Sequence, residues 1–150
     1  MTQPKNSLFR AYSSADREAC LEIFDANCPT FFAPNERDDF VTFLDARSVG
    51  YEVCVVNERV VGAFGLFGNG RQTKSLNWLL IDPHSQGIGI GSAIMDRIVS
   101  SGRHSGLRLL SIAASHKSAP FFSRFGAVTT AVVDDGWGPG MNRVDMELYL

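Results

Sequence analysis

The sequence predicts an α/β (α+β) fold, one domain over 1–150 with about seven strands and about four helices. Three observations carry this. Four stretches repeat apolar residues at helical spacing, and seven others alternate or run apolar as strands do. The chain has 150 residues, 45% apolar and 20% charged, enough to bury one sizeable core. In its middle, at 76–92, a strand, a proline and a glycine-rich helix start follow one another.

Residues 8–12 read as the first strand. Ser13 or Ser14 caps a helix over 16–26 whose inner face carries Cys20, Ile23 and Phe24. Residues 27–35, with two prolines, form a loop. Asn35 caps a second helix that ends near Arg47. Glu36, Asp38 and Asp39 suit its positive end, and Phe40, Phe43 and Leu44 face inward. Residues 51–56 and 60–67 are rich in β-branched and aromatic side chains; with Asn57-Glu58-Arg59 between them they predict a hairpin. A polar loop leads to the central strand, 75–82. A helix over about 89–100 follows, with Ile94 and Ile98 on one face and Asp96, Arg97 and Ser100 on the other. Residues 107–113 read as a buried strand. Ser118 caps a short helix with Pro120 in its first turn, ending before Gly126. Residues 128–133 form a strand, and 134–142, with three glycines and a proline, a loop. Residues 143–150 alternate, Val144, Met146, Leu148 and Leu150 on one face against Arg143, Asp145 and Glu147.

The composition excludes several functions. A net charge of −2 creates no basic field, which argues against nucleic acid as a partner. No apolar run approaches the ~18 residues that span a bilayer, and the first residues lack the apolar core of a signal peptide. Cys20, Cys28 and Cys54 have neither disulfide nor metal-ligand spacing. They read as reduced thiols in a cytoplasmic protein without a metal.

The chemistry is concentrated in the central stretch. A helix start leaves N–H groups without backbone partners at the positive end of the helix dipole. Glycines at 87, 89 and 91 let an anionic group come close to the backbone, so this stretch is a phosphate cradle. A P-loop would need Lys-Ser or Lys-Thr where Ser92-Ala93 stand. A dinucleotide fingerprint would need its third glycine one residue later than Gly91, and an acid about 20 residues on. Gln86-Gly87-Ile88-Gly89-Ile90-Gly91 instead resembles, at every position, the coenzyme A loop of the GCN5-related N-acetyltransferases (GNAT), Gln/Arg-x-x-Gly-x-Gly/Ala. The preceding Leu79-Leu80-Ile81-Asp82-Pro83 resembles that family's strand ending, and the order of elements resembles the whole GNAT fold.

The resemblance implies a mixed, mostly antiparallel sheet and acetyl-CoA as cofactor. It places the pyrophosphate on the backbone of Gln86, Gly87, Ile88, Gly89, Ile90, Gly91 and Ser92. The pantetheine arm would lie along the strand through Leu79, Leu80 and Ile81, with Leu79 and Ile81 giving main-chain bonds. The Leu79 N–H would face the thioester carbonyl as an oxyanion donor. The acceptor would be the amine of a small molecule. An amine of pKa ~10 must lose a proton before it attacks, so a base is required. Glu36, His84, His116 and Asp135 are candidates; His116 stands where many members carry an Asn that bonds the pantetheine arm. Where the family's short fourth helix usually carries a Tyr acid, this chain has Phe122, which would touch the cofactor without donating a proton. Phe31, Phe32, Glu36 and Trp137 fall in the segments that choose the acceptor. Two other functions fit the same residues: acetylation of a protein or peptide amine, and a non-catalytic coenzyme A-binding regulator. Many relatives pair, so a homodimer is an expected assembly.

Overall fold

The computed structural model describes residues 7–85 and 88–150. Seven strands form one mixed sheet: β1 Ser7–Ala11, β2 Tyr51–Val56, β3 Arg59–Phe67, β4 Thr73–Ile81, β5 Leu109–Ser115, β6 Val128–Gly138 and β7 Met141–Tyr149. Their order across the sheet is β1-β2-β3-β4-β5-β7-β6. Every neighbouring pair is antiparallel except β4 and β5, which are parallel. Four helices flank the sheet: α1 Arg17–Ala26, α2 Arg37–Ala46, α3 Ile90–His104 and α4 Ala119–Ser123. The β2–β3 hairpin turns through Asn57 and Glu58, both at positive φ, as a two-residue hairpin turn requires.

Two apolar layers sandwich the sheet. On one face Ile94, Met95 and Ile98 of α3 and Phe122 of α4 pack on Val61, Phe64, Leu110 and Met146. On the other, Cys20 and Phe24 of α1 and Phe40 and Phe43 of α2 pack on Tyr51, Val53, Ala63 and Leu80. The second layer is unusually aromatic. Phe24 stacks on Phe32 and Phe40, and Phe43 meets Tyr51 edge-on at 4.9 Å between ring centroids. Such pairs contribute ~0.5–1.5 kcal/mol each beyond the area they bury.

One irregularity in β4 positions the site. Gly65 opposes Asn77 and Ala63 opposes Leu80, so β4 spends one residue more than β3 over the same span. The extra residue makes a bulge at Trp78, whose φ is +51°. A bulky residue held there costs ~1–3 kcal/mol unless its surroundings over-determine it. The Trp78 ring meets Phe40 at 4.9 Å, Phe43 at 6.2 Å and Phe32 at 6.3 Å. The bulge also reverses the alternation. Leu76 belongs to the α3 side; beyond the bulge Leu79 and Ile81 take that side, while Trp78 and Leu80 turn to the aromatic side. Pairing of β4 with β5 extends only from Thr73 with Leu109 to Leu76 with Ile112. Past the bulge the two strands part.

Several boundaries differ from those expected. Helix α3 runs one turn beyond residue 100, to His104, and β5 begins and ends two residues later than expected. The expected 134–142 loop is largely strand: β6 continues to Gly138, and only Pro139 and Gly140 turn before β7. Asn35 is not a helix cap. It lies within a 3-10 turn, Pro34–Glu36, and its side-chain amide donates to the Trp137 carbonyl at 2.7 Å.

Buried Asn27 fastens the end of α1 to the end of β4. Its side-chain amide donates to the Ile23 carbonyl at 2.8 Å and the Ile81 carbonyl at 3.0 Å. Asn27→Ala leaves the Ile81 carbonyl without this donor and should destabilise the protein by ~1–3 kcal/mol. Urea denaturation measures it, and a loss below ~0.5 kcal/mol would mean that the link is dispensable.

Candidate active site

The parting of β4 from β5 opens a cavity of about 1080 Å³. One end is built by the start of α3. Gly89 there has a φ of +82°, a conformation that L side chains rarely adopt, and its carbonyl accepts the Ala93 N–H. Gly91 faces Phe121, and a Cβ on Gly91 would lie 2.8 Å from that ring, so only glycine lets α3 begin this close to α4. The turn into α3 is held by Asp82, 3% exposed. Its carboxylate accepts the His84 N–H at 2.9 Å, the Ser85 hydroxyl at 3.3 Å and the Arg59 guanidinium at 3.2 Å. Gly89, Ile90, Gly91, Ser92, Leu79, Ile81, Phe121 and Phe122 all line this end. An α3 N-terminus of positive dipole opening on an apolar channel fits an anionic, pantetheine-bearing group.

Elsewhere the cavity is lined by Phe31, Phe32, Glu36, Trp78 and Trp137, with Asn27 beside Ile81. Glu36 is 6% exposed and accepts the Ala33 N–H at 2.7 Å. Burial pushes its carboxyl up to about 7, while the Ala33 bond pulls the other way. Although Glu36 stands at a helix start, where a carboxylate is favoured, loss of solvent outweighs the bond from Ala33. Trp137 is fixed at both ends. Its indole N–H donates to the Ala114 carbonyl at 2.9 Å, and its own carbonyl accepts from Asn35. It stands at the end of β6 as a tethered wall, not on a free loop.

Five expected site residues lie elsewhere. Leu80 is 1% exposed within the aromatic layer, because the bulge turns it away from the cavity. Ile88 is exposed and does not line the cavity. His116 does not line it either; its Nδ1 accepts the Asn142 N–H at 3.2 Å, a bond that ties β5 to β7. Asp135 accepts the Gly140 N–H at 2.8 Å in the β6–β7 turn, and His84 is an exposed residue of the α3 approach. Gln86 and Gly87 lie outside the described residues. The cavity also holds residues that the sequence did not single out: Asn27, Trp78, Ser115, Lys117, Ser118 and Phe121. Ser115 and Ser118 bond one another where β5 ends.

The model of the acetyltransferase (GNAT) family matches residues 20–127. Among curated proteins, none matches the chain. Solved structures do. A GNAT-family protein from Desulfovibrio desulfuricans is 25% identical, with a TM-score of 0.75 over 95% of this chain and 98% of its own. Ard1 from Thermoplasma volcanium, 18% identical, shares the fold at a TM-score of 0.80 over 97% and 98%. So does yncA from Salmonella typhimurium, solved with its cofactor acetyl-CoA, at 19% identity and a TM-score of 0.72 over 97% and 95%. With its family model matched over most of its length, this chain belongs to the GNAT family, as an acetyltransferase whose acyl donor is acetyl-CoA.

Proposed function

We propose that the protein acetylates the primary amine of a small molecule, with Glu36 as the general base. The observation that carries this reading is Glu36 itself: a buried carboxyl near pKa 7, lining the same cavity as the β4 edge and the α3 start. A general base works best when its pKa lies near the working pH. Before attack the bound ammonium must give up a proton, and the apolar surround of Phe31, Phe32, Trp78 and Trp137 favours the neutral amine. Glu36 is the acid that those aromatics surround.

Gly89, Ile90, Gly91 and Ser92 would hold the phosphates of acetyl-CoA, and Leu79 and Ile81 its pantetheine arm. Bound there, it supplies an acetyl group activated as a thioester. Phe122 is buried and carries no proton to give. A thiol of pKa ~8.5 leaves tolerably as the thiolate, and Ser115, Lys117 and Ser118 are among the donors that line the cavity.

The wall formed by Trp137 and Asn35 supports a small acceptor over a peptide. It ties the β6 end both to the turn before α2 and to β5, and a joined wall suits a small acceptor better than an extended chain. A carboxyl tuned to about 7 favours turnover over a purely regulatory binding role. Thiol release measured over a panel of amines tests the proposal directly, and turnover only with peptides, or with none, would reject it.

Glu36→Gln keeps an acceptor for the Ala33 N–H but cannot take a proton. In the wild type kcat/KM should rise with pH through a limb near 7. In the variant that limb should vanish and the rate fall ~10²–10⁴-fold. A retained limb would move the base elsewhere. The same group sets a stability trend. Its native pKa of about 7 exceeds its ordinary 4.5, so its contribution to stability is fully present below 4.5 and is lost as pH rises through 7. The shift corresponds to at most ~3 kcal/mol. Wild-type Tm should fall relative to that of Glu36→Gln between pH 4.5 and 8; parallel curves would contradict the burial argument.

Trp137→Ala should raise the acceptor KM and leave acetyl-CoA affinity nearly unchanged, as when uniform binding is lost. Steady-state kinetics with calorimetry of coenzyme A binding would detect the opposite result, an equal loss for both substrates, which would make the indole purely structural.

A further inference from the structure

Tyr51 stands on β2, in the aromatic layer, and does not itself line the cavity. It is 1% exposed, and its phenol donates to the Trp78 carbonyl at 2.5 Å. The acceptor of that bond is the carbonyl of the β4 bulge.

The geometry of one peptide unit gives this bond a consequence across the sheet. The carbonyl of Trp78 and the N–H of Leu79 belong to the same planar group. In a trans peptide the C=O and N–H point in opposite directions. The Trp78–Leu79 bond is trans, since the cis bond among the described residues is Cys28–Pro29. Holding the carbonyl toward Tyr51 therefore turns the Leu79 N–H away from the aromatic layer, toward the face on which Leu79 packs and lines the cavity.

We propose that Tyr51 is a positioning residue for acetyl transfer: its hydroxyl fixes the Trp78–Leu79 peptide so that the Leu79 N–H is aimed into the cavity as a hydrogen-bond donor to the acetyl carbonyl. This rests on the proposed reading of the cavity as an acetyl-transfer site. Three further observations support the latch. A bulge residue at positive φ has other conformations available, so something must select this one. The Tyr51 ring is itself clamped, by Phe43 at 4.9 Å, Tyr12 at 5.8 Å and Phe40 at 6.4 Å, and Phe40 and Phe43 also hold the Trp78 ring. Burial raises the phenol well above its ordinary value, so it remains a donor at any working pH.

Tyr51→Phe removes the hydroxyl and keeps the ring. Two measurements on the full-length protein test the latch. The first is steady-state kinetics: kcat should fall about tenfold or more, since donors preorganised toward developing charge carry ~10²–10³-fold, while both KM values change little. The second needs no turnover. In protein labelled with ¹⁵N-leucine, the Leu79 amide should shift on adding a ketone analogue of acetyl-CoA, and much less on adding coenzyme A itself. In Tyr51→Phe that difference should disappear while coenzyme A still binds. A Leu79 shift of equal size in both proteins, or an unchanged kcat in a less stable variant, would make Tyr51 merely structural and overturn the proposal. No Leu79 response in a wild type that binds both ligands would overturn it as well. A wild type that binds neither ligand would instead strike at the acetyl-transfer reading, and this proposal would fall with it. Should Tyr51→Phe not fold, 3,5-difluorotyrosine at position 51, a stronger donor in the same ring, should shift the Leu79 amide further; an unmoved resonance would again overturn the latch.

Discussion

A parallel strand pair cannot stay in register when one strand is bent by an extra residue, and this constraint organises the molecule. Strand β4 is bonded to β3 on one side and β5 on the other. The bulge at Trp78 is absorbed on the β3 side as a register shift, and beyond Leu76 β4 no longer pairs with β5. The gap so opened is the cavity. Its walls are the inner ends of those two strands, and its ends are closed by elements that would otherwise never meet. The start of α3 closes one, and the turn before α2 with the end of β6 closes the other. A regular strand in place of β4 would have continued the pairing and left no space for two substrates.

The electrostatics follow from the same opening. Glu36 is far enough inside to be desolvated, yet still lines the cavity. Its carboxyl is raised because water is excluded, and because the Ala33 N–H alone does not make up for that loss. Asp82 is also buried, but three donors surround it, and it serves to shape the turn into α3.

Most of the fold was legible in the sequence because it rests on local periodicity. The hairpin at 51–67, the alternation of β7 and the amphipathic α3 announce themselves within a dozen residues. The end of the cavity at the α3 start was legible for the same reason: its glycines lie together, beside the strand that leads to them. The other end was only partly legible. Phe31, Phe32, Glu36 and Trp137 line one cavity, but the bonds from Asn35 to Trp137 and from Trp137 to Ala114 join segments remote in sequence and have no local signature. The bulge was illegible, because Trp78 reads as an ordinary strand aromatic; only the pairing with β3 reveals the extra residue. Once it is counted, the displacement of Leu80 to the far face follows. The long loop expected at 134–142 failed for a related reason. Its glycines and proline signalled a turn correctly, but β7 holds most of the segment as strand.

The bond between Asn35 and Trp137 spans 102 positions of the chain. The end of the cavity at the α3 start draws on the middle of the sequence, whereas the end at Glu36 and Trp137 needs an early segment and a late one both in place. Contacts so distant in sequence carry a large loop-closure cost and form slowly. That end of the cavity therefore depends on the whole chain being folded, and a substitution at either position 35 or position 137 reaches a segment a hundred residues away.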